Sequence, residues 1–235
     1  MRQDLRENQE LRPITFEDNF IENPLASVLV SHGKTRVLCT VSFEPKVPPF
    51  LYGTGRGWLT AEYSMLPGST LTRKQRDIAR LKLDGRSSEI QRLIGRSLRS
   101  VMDFSRLGEN SLIIDCDVIQ ADGGTRCAAI NGGYRALKQA CNRLVERGIL
   151  AENPLAGQVG ALSVGMVSGQ AMADLCYLED SKADVDMNVI MNGNGEFIEI
   201  QGTGEGRAFT RAEMDIMLAL AESGIREILT RQEAE

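Results

Sequence analysis

The spacing of apolar residues divides the chain into short strands and a few long helices. In "SVLVSHGKTRVLCTVSFE" (27–44), two stretches of apolar residues flank His32-Gly33, which predicts two strands joined by a tight turn. The GKT in this run lacks the glycine that a phosphate-binding loop needs five positions earlier, where Val28 stands, so it reads as a hairpin turn. Residues 44–58 are too rich in proline and glycine for a regular element. Residues 67–84 are polar, basic and weakly periodic, part loop and part possible helix. From Ser87-Ser88 onward, Ile90, Ile94, Leu98 and Val101 recur at helical spacing, and Arg92, Arg96 and Arg99 fall on another face. "SLIIDCDVIQAD" (111–122) predicts a strand with Asp115 and Asp117 on one face, broken by Gly123-Gly124. A helix then spans about Thr125 to Arg147, with Ile130, Tyr134, Leu137, Cys141 and Leu144 as its apolar stripe. After a loop at Asn153-Pro154, strands are predicted near 159–168, 171–179, 185–192 and 196–201. The last helix opens at Thr210 with Glu213 three residues on, a capping box, and Met214, Met217, Ala221, Ile225 and Ile228 face the core. No repeat, low-complexity tract or linker interrupts this order, which implies a single α/β domain over residues 1–235.

Composition narrows the chemistry. The 235 residues, 42% hydrophobic and 25% charged, suit a soluble globular chain with a sizeable core. No apolar run approaches the roughly 18–20 residues that span a bilayer, so no membrane association is expected. "MRQDLRENQELRP" is charged from its start, unlike a secretory signal. Five scattered cysteines, odd in number and without a CxxC pair, imply reduced thiols and a cytoplasmic setting. His32 is the only histidine, which leaves little support for His-ligated zinc or a Ser-His-Asp triad. The chemistry therefore falls to carboxylates and arginines, with room for a hard metal. Net charge is -5, yet residues 73–106 carry ten basic residues (Arg73, Lys74, Arg76, Arg80, Lys82, Arg86, Arg92, Arg96, Arg99, Arg106) against four acids (Asp77, Asp84, Glu89, Asp103). Such a belt is either a salt-bridged helical face or a grip for a polyanion.

Three segments exceed what folding requires. In "ADGGTRCAAI" (121–130) a strand ends, two glycines allow a tight path, and a helix opens at Thr125-Arg126. Free N–H groups, the helix dipole, a hydroxyl and a guanidinium there suit an anion, though a plain turn with an exposed arginine has the same pattern. In "LDGRSSEIQRLIGRSLR" (83–99), Arg86 lies near a helix start, where a cation is mildly disfavoured unless an anion is bound. In "CYLEDSKADVDMNVIM" (176–191), four acids (Glu179, Asp180, Asp184, Asp186) fall within eight residues. If a strand ends at Asp180 and another begins near 185, the short connection brings Asp180 close to Asp186, and Asp184, Asp186 and Asn188 share a face. That is either an acidic hairpin tip in water or a magnesium-type site. A phosphate held by arginines, a metal held by aspartates and a basic belt together describe phosphoryl or nucleotidyl transfer.

The runs "RGWLTAEYSMLP", "GRSSEIQRLIGRSLR", "DCDVIQADGGTRCAAI", "LEDSKADVDMNVIM" and "EIQGTGEG" resemble the ribonuclease PH family over nearly the whole chain. The resemblance implies an α+β fold like the second domain of ribosomal protein S5, with mixed sheets packed against helices, and a homo-hexamer built as a trimer of dimers. It implies a phosphate-dependent 3′→5′ exoribonuclease that trims tRNA precursors and other RNA 3′ ends, ribosomal RNA included, and releases nucleoside diphosphates. Arg86, Gly124, Thr125 and Arg126 would hold inorganic phosphate. Asp180 and Asp186 would be catalytic, as magnesium ligands or as the acid for the leaving oxygen, with Asp184 a third metal ligand. Arg73, Lys74 and Arg76 would grip tRNA across a subunit boundary, and Arg92, Arg96 and Arg99 would touch RNA or a neighbouring subunit. A catalytically silent, RNA-binding ring subunit of an exosome-like assembly is the competing expectation. The chain departs from the family pattern at Gly68, where arginine commonly follows "MLP", and at Leu5, where glycine is usual.

Overall fold

The computed structural model describes residues 2, 4–76 and 84–233. Of the basic belt, Asp77, Arg80 and Lys82 lie outside the described residues, as does most of the possible helix before residue 84. In chain order the elements are β1 Ile14–Asp18, β2 Ala26–His32, β3 Thr35–Glu44, β4 Trp58–Met65, α1 Gly85–Arg99, α2 Phe104–Leu107, β5 Ser111–Gln120, α3 Thr125–Glu146, β6 Val159–Val167, β7 Gln170–Ala173, α4 Tyr177–Asp180, β8 Val185–Asn192, β9 Phe197–Gly204 and α5 Arg211–Glu233. Among the described residues no helix is long and apolar enough to cross a membrane.

Two sheets result, β1-β2-β3-β5-β4 and β7-β6-β8-β9. All pairs are antiparallel except β4 with β5, whose connection carries α1 across. In β3, Val37, Cys39 and Val41 point into the core while Leu38 and Thr40 point outward, the alternation of a sheet covered on one face. The helix α3 lies against that inner face, packed on β2 and β3, and against β6 of the second sheet. Gly132 permits the contact: a Cβ there would sit 2.4 Å from Val30 Cγ1. All nine residues of β6 are buried, because its faces serve different cores. Val159 and Ala161 join the α3 cluster, and Leu162, Val164 and Met166 join the cluster under α5. That double burial explains the uninterrupted apolar run.

The expected capping box forms. Thr210 N–H donates to Glu213 Oε2 at 2.8 Å, and Glu213 N–H donates to Thr210 Oγ1 at 3.2 Å. Other boundaries move. The helix expected at Ser87 begins at Gly85, because the Asp84 side chain accepts from Arg86 N–H. Residues 67–76 form turns and irregular chain rather than helix. The strand expected over 171–179 is two elements: β7 stops at Ala173, Asp174 turns the chain with φ 52°, and 177–180 is the helical turn α4. Glu179 drives the change by accepting the Cys176 N–H in a capping box. The strands β1 and β4 carry no sequence expectation. The first is a short edge strand with only Ile14 fully buried, and the second alternates buried Leu59, Ala61 and Tyr63 with outward polar residues.

Candidate functional site

A cleft of about 380 Å³ opens where the starts of α1 and α3, the end of α4 and the strands β8 and β9 meet. The turn before α3 is built from Gly123 (φ 77°) and Gly124 (φ 65°). A Cβ on Gly123 would stand 2.5 Å from Leu175 O, so only glycine lets this turn lie against 175–177. Gly124 offers no side chain to the first N–H groups of α3. Beside them, the Thr125 hydroxyl is 2.9 Å from the Tyr63 hydroxyl, which donates to it. Arg126 Nη1 is 3.2 Å from Gln201 Oε1 and 3.7 Å from Glu89 Oε1. Arg86 enters from the first turn of α1. Ser163 Oγ, in the cleft wall, is buried with no hydrogen-bond partner among the described residues. Free N–H groups, hydroxyls and two guanidinium groups thus face one space, an arrangement suited to a tetrahedral anion.

Asp180, the last residue of α4, and Asp186, the second of β8, line the same cleft with Asn188 and Glu205. Asn188 Nδ2 donates to Asp186 Oδ2 at 3.4 Å. Burial first, then the neighbouring Asp180 and Glu205, push the Asp186 carboxyl up to about 6 against the pull of Arg126. Burial also raises Asp180, opposed by Arg86 and Arg126. The two acids therefore repel each other across from two arginines. Asp184 points elsewhere: its Oδ2 is 3.9 Å from Arg207 Nε, Gly206 packs over its Oδ1, and it is not part of the cleft wall. Among the described residues no three His, Cys, Asp or Glu side chains converge as a metal cage. Two crowded, desolvated carboxylates with open space beside them do fit magnesium, which commonly takes one or two carboxylates and completes its shell with water and phosphate.

The described residues of the basic belt have different local partners. Arg73 and Lys74 line a second cavity that shares Arg86 with the cleft, and Lys74 Nζ is 3.3 Å from Asp84 Oδ2. Arg76 lines a hollow on the outer face of the first sheet beside Glu62, Asp115 and Asp117. Arg96 Nη1 reaches Glu199 Oε2 at 2.8 Å, which ties α1 to β9. Arg99 donates to Leu59 O at 3.1 Å and lies 5.3 Å from the Trp58 ring centroid, so it anchors α1 to β4. Arg92 is exposed on α1.

A buried ion network behind the cleft carried no signal in the sequence. Arg12 grips Asp174 twice, Nη2 to Oδ1 at 2.6 Å and Nε to Oδ2 at 2.9 Å, and its backbone N–H donates to Oδ2 at 2.8 Å. Its remaining Nη1 donates to Asp122 O at 2.6 Å, immediately before the glycine turn. Glu179, one residue before Asp180, is held by Arg2 Nε at 2.7 Å and Nη2 at 2.8 Å. The acidic run therefore divides: Glu179 locks α4 to the N-terminal arm while Asp180 faces the cleft. Leu5 lies in that arm with φ 65°, the left-handed region that the family's glycine would enter without strain. These partners are 162 and 177 residues apart, so no local spacing could pair them.

Comparison with known proteins finds the 3′ exoribonuclease family, domain 1, over residues 10–142 and its domain 2 over residues 157–224. Ribonuclease PH of Syntrophomonas wolfei is 55% identical over 227 residues, 97% of this chain and 95% of the relative. Ribonuclease PH of Crocosphaera subtropica is 54% identical over 231 residues, covering 98% of this chain and 95% of the relative. Among solved structures, rice Rrp46 superposes with a TM-score of 0.81 at 16% identity, over 99% of both chains. A chain of the Archaeoglobus fulgidus exosome with RNA bound to the active site gives 0.81 at 22% identity, over 97% of this chain and 91% of that one.

Proposed function

The chain belongs to the ribonuclease PH family of 3′ exoribonucleases, and from that premise we propose that it trims precursor tRNA from the 3′ end by phosphorolysis in the cleft between α1, α3 and β8. The observation that carries the site assignment is the convergence of Arg86, Thr125, Arg126, Asp180 and Asp186 on one cleft from four separate elements.

Inorganic phosphate sits against the open start of α3, between Arg86 and Arg126, with the hydroxyls of Thr125 and Ser163 as further partners. One of its oxygens attacks the phosphorus of the last internucleotide linkage. The bond to the 3′ oxygen of the penultimate nucleotide breaks, and a nucleoside diphosphate leaves. The departing oxygen takes a proton, and Asp180 and Asp186 are the acids at hand. The same two carboxylates would hold magnesium, which when bound neutralises charge on the scissile phosphodiester. Arg73, Lys74 and Arg76, with Arg92 and Arg96, extend the cationic surface along which the RNA backbone lies. Assembly as a hexameric ring and residence in the cytoplasm complete the reading.

The test is a tRNA with a short 3′ extension, incubated with and without phosphate, with products identified. Nucleoside diphosphates formed only with phosphate are expected. Monophosphates without phosphate would replace this reading with hydrolysis, and binding without cleavage would favour the silent ring subunit. Gly68 offers a second check. It is exposed and a Cβ there meets nothing within 4 Å, so Gly68→Arg fits without strain. The variant should bind tRNA more tightly, with the log–log salt slope steeper by about 0.7–0.9 for one added phosphate contact and an unchanged melting temperature. An unaltered slope would remove this loop from the tRNA-binding surface.

A further inference from the structure

We propose that the second cavity is a nucleobase pocket, in which Tyr177 stacks a base of the RNA 3′ end within about one nucleotide of the scissile linkage; this rests on the phosphorolytic reading of the cleft. The cavity measures about 490 Å³, within the range of small-ligand sites. Its apolar lining comes from Met65, Leu71, Ala121 and the Tyr177 ring. Its polar edge sets Arg73, Lys74 and Arg86 beside two threonines and Asp84, which pairs with Lys74, leaving a net positive rim. An apolar slot edged by cations matches a nucleotide, which is flat and apolar on its base and anionic on its backbone.

Position adds the second argument. Tyr177 opens α4, the turn that ends at Asp180, so the ring stands one helical turn from a catalytic carboxylate. Its backbone is fixed, with the N–H 3.3 Å from Asp122 Oδ1 and close against Gly123, while the residue stays 51% exposed. A large aromatic on a rigid mount is a stacking platform that needs little ordering on binding. Arg86 lines both cavities, so the base pocket adjoins the phosphate cleft with that arginine at their boundary. Stacking tolerates any base, as an enzyme that removes successive nucleotides requires.

The test compares wild type, Tyr177→Phe and Tyr177→Ala on a single-stranded oligoribonucleotide and on the same RNA with an abasic residue at each of the last two positions in turn. Equilibrium binding is read by fluorescence anisotropy without phosphate, and phosphorolysis is read separately. We expect Tyr177→Ala to weaken binding of intact RNA about ten-fold or more, Tyr177→Phe to stay within about two-fold, and phosphate KM to hold in both. The Tyr177→Ala defect should vanish on one of the two abasic RNAs. An equal loss on intact and both abasic RNAs, or no loss at all, would overturn the pocket. Protection of Tyr177 from iodination in the RNA-free protein would do so too, by showing a second copy of the chain over the cavity. Failure of the phosphorolytic reading would appear instead as no diphosphate release by wild type, whatever the binding data show.

Discussion

Replacing Arg126 with alanine should lower kcat/KM for phosphorolysis by about a thousandfold, while the protein keeps its melting temperature within a few degrees. The magnitude follows from removing one charged donor aimed at a phosphate in a water-poor site, which typically costs ~10²–10³ and more where the charge neutralises a transferring phosphoryl group. Arg126 is mostly buried, yet its direct protein contacts are a neutral amide at 3.2 Å and a long 3.7 Å pair with the half-exposed Glu89, so its loss breaks no buried ion pair. Its loss also releases Asp186, whose carboxyl Arg126 holds down against burial and Asp180. Arg126→Lys should recover only part of the rate, because an ammonium cannot make the bidentate fork to phosphate. Asp186→Asn should silence turnover to a similar degree while leaving phosphate binding intact, since it removes a charge that repels the anion. Steady-state kinetics with phosphate and RNA varied separately would show both. Activity within ten-fold of wild type in either variant would overturn the site assignment.

The second large effect concerns stability. Asp174→Ala should cost about 3–5 kcal/mol of folding stability, because it strands the Arg12 guanidinium in a buried site. Arg12→Ala should cost a similar amount and also impair turnover, since Arg12 ties Asp122, and with it the phosphate turn, to Asp174. Denaturant melts of the single and double variants form a cycle whose coupling should exceed about 1 kcal/mol. The pH dependence has a definite sign. Burial works against the Asp174 charge, but Arg12 overcomes it and holds the carboxyl at about 2. Its stabilisation is present above the unfolded value near 4 and is lost as pH falls from there through 2. Burial likewise drives His32 down to about 4, with Asp174 opposing and Arg12 and Arg231 assisting. That contribution is complete above about pH 6.5 and declines as pH drops toward 4. Asp186, raised to about 6, works the other way between about pH 6 and 4. The His32 stage is therefore read as the difference between the urea midpoints of wild type and His32→Gln, which should narrow or change sign as pH falls from 7 to 4. A difference that stays constant from pH 7 to 4 would contradict this account.

What the sequence made legible was local. Gly124, Thr125 and Arg126 stand in adjacent letters at a strand end, two glycines and a helix start, and Arg86 stands at a second helix start. The four, joined in the sequence only by the family resemblance, all line the cleft. Asp180 and Asp186 also come together, though through a helical turn instead of the hairpin that alternation suggested. The capping contact of Glu179 decides that turn, and its other partner, Arg2, lies at the far end of the chain. The same limit hid Arg12 and Asp174, whose pairing depends on how β7 packs against the N-terminal arm. In the basic belt, charge counts cannot separate a cation aimed at solvent, such as Arg92, from one lying against Trp58 or paired with Glu199. In β4 the period-two alternation is clean but short, and the proline- and glycine-rich residues before it mark no strand start.

The bare start of α3 has a consequence for the substrate itself. Among the described residues no side chain caps the first turn of this 22-residue helix, which packs against both sheets. Under the proposed function, phosphate serves as the helix's missing cap and is a structural ligand for as long as it waits to react. Each phosphorolytic cycle then consumes that cap and leaves the α3 terminus open until the next anion arrives. Free phosphate should accordingly stabilise the whole chain by mass action. A cell short of phosphate would hold an enzyme that is both starved of co-substrate and easier to unfold.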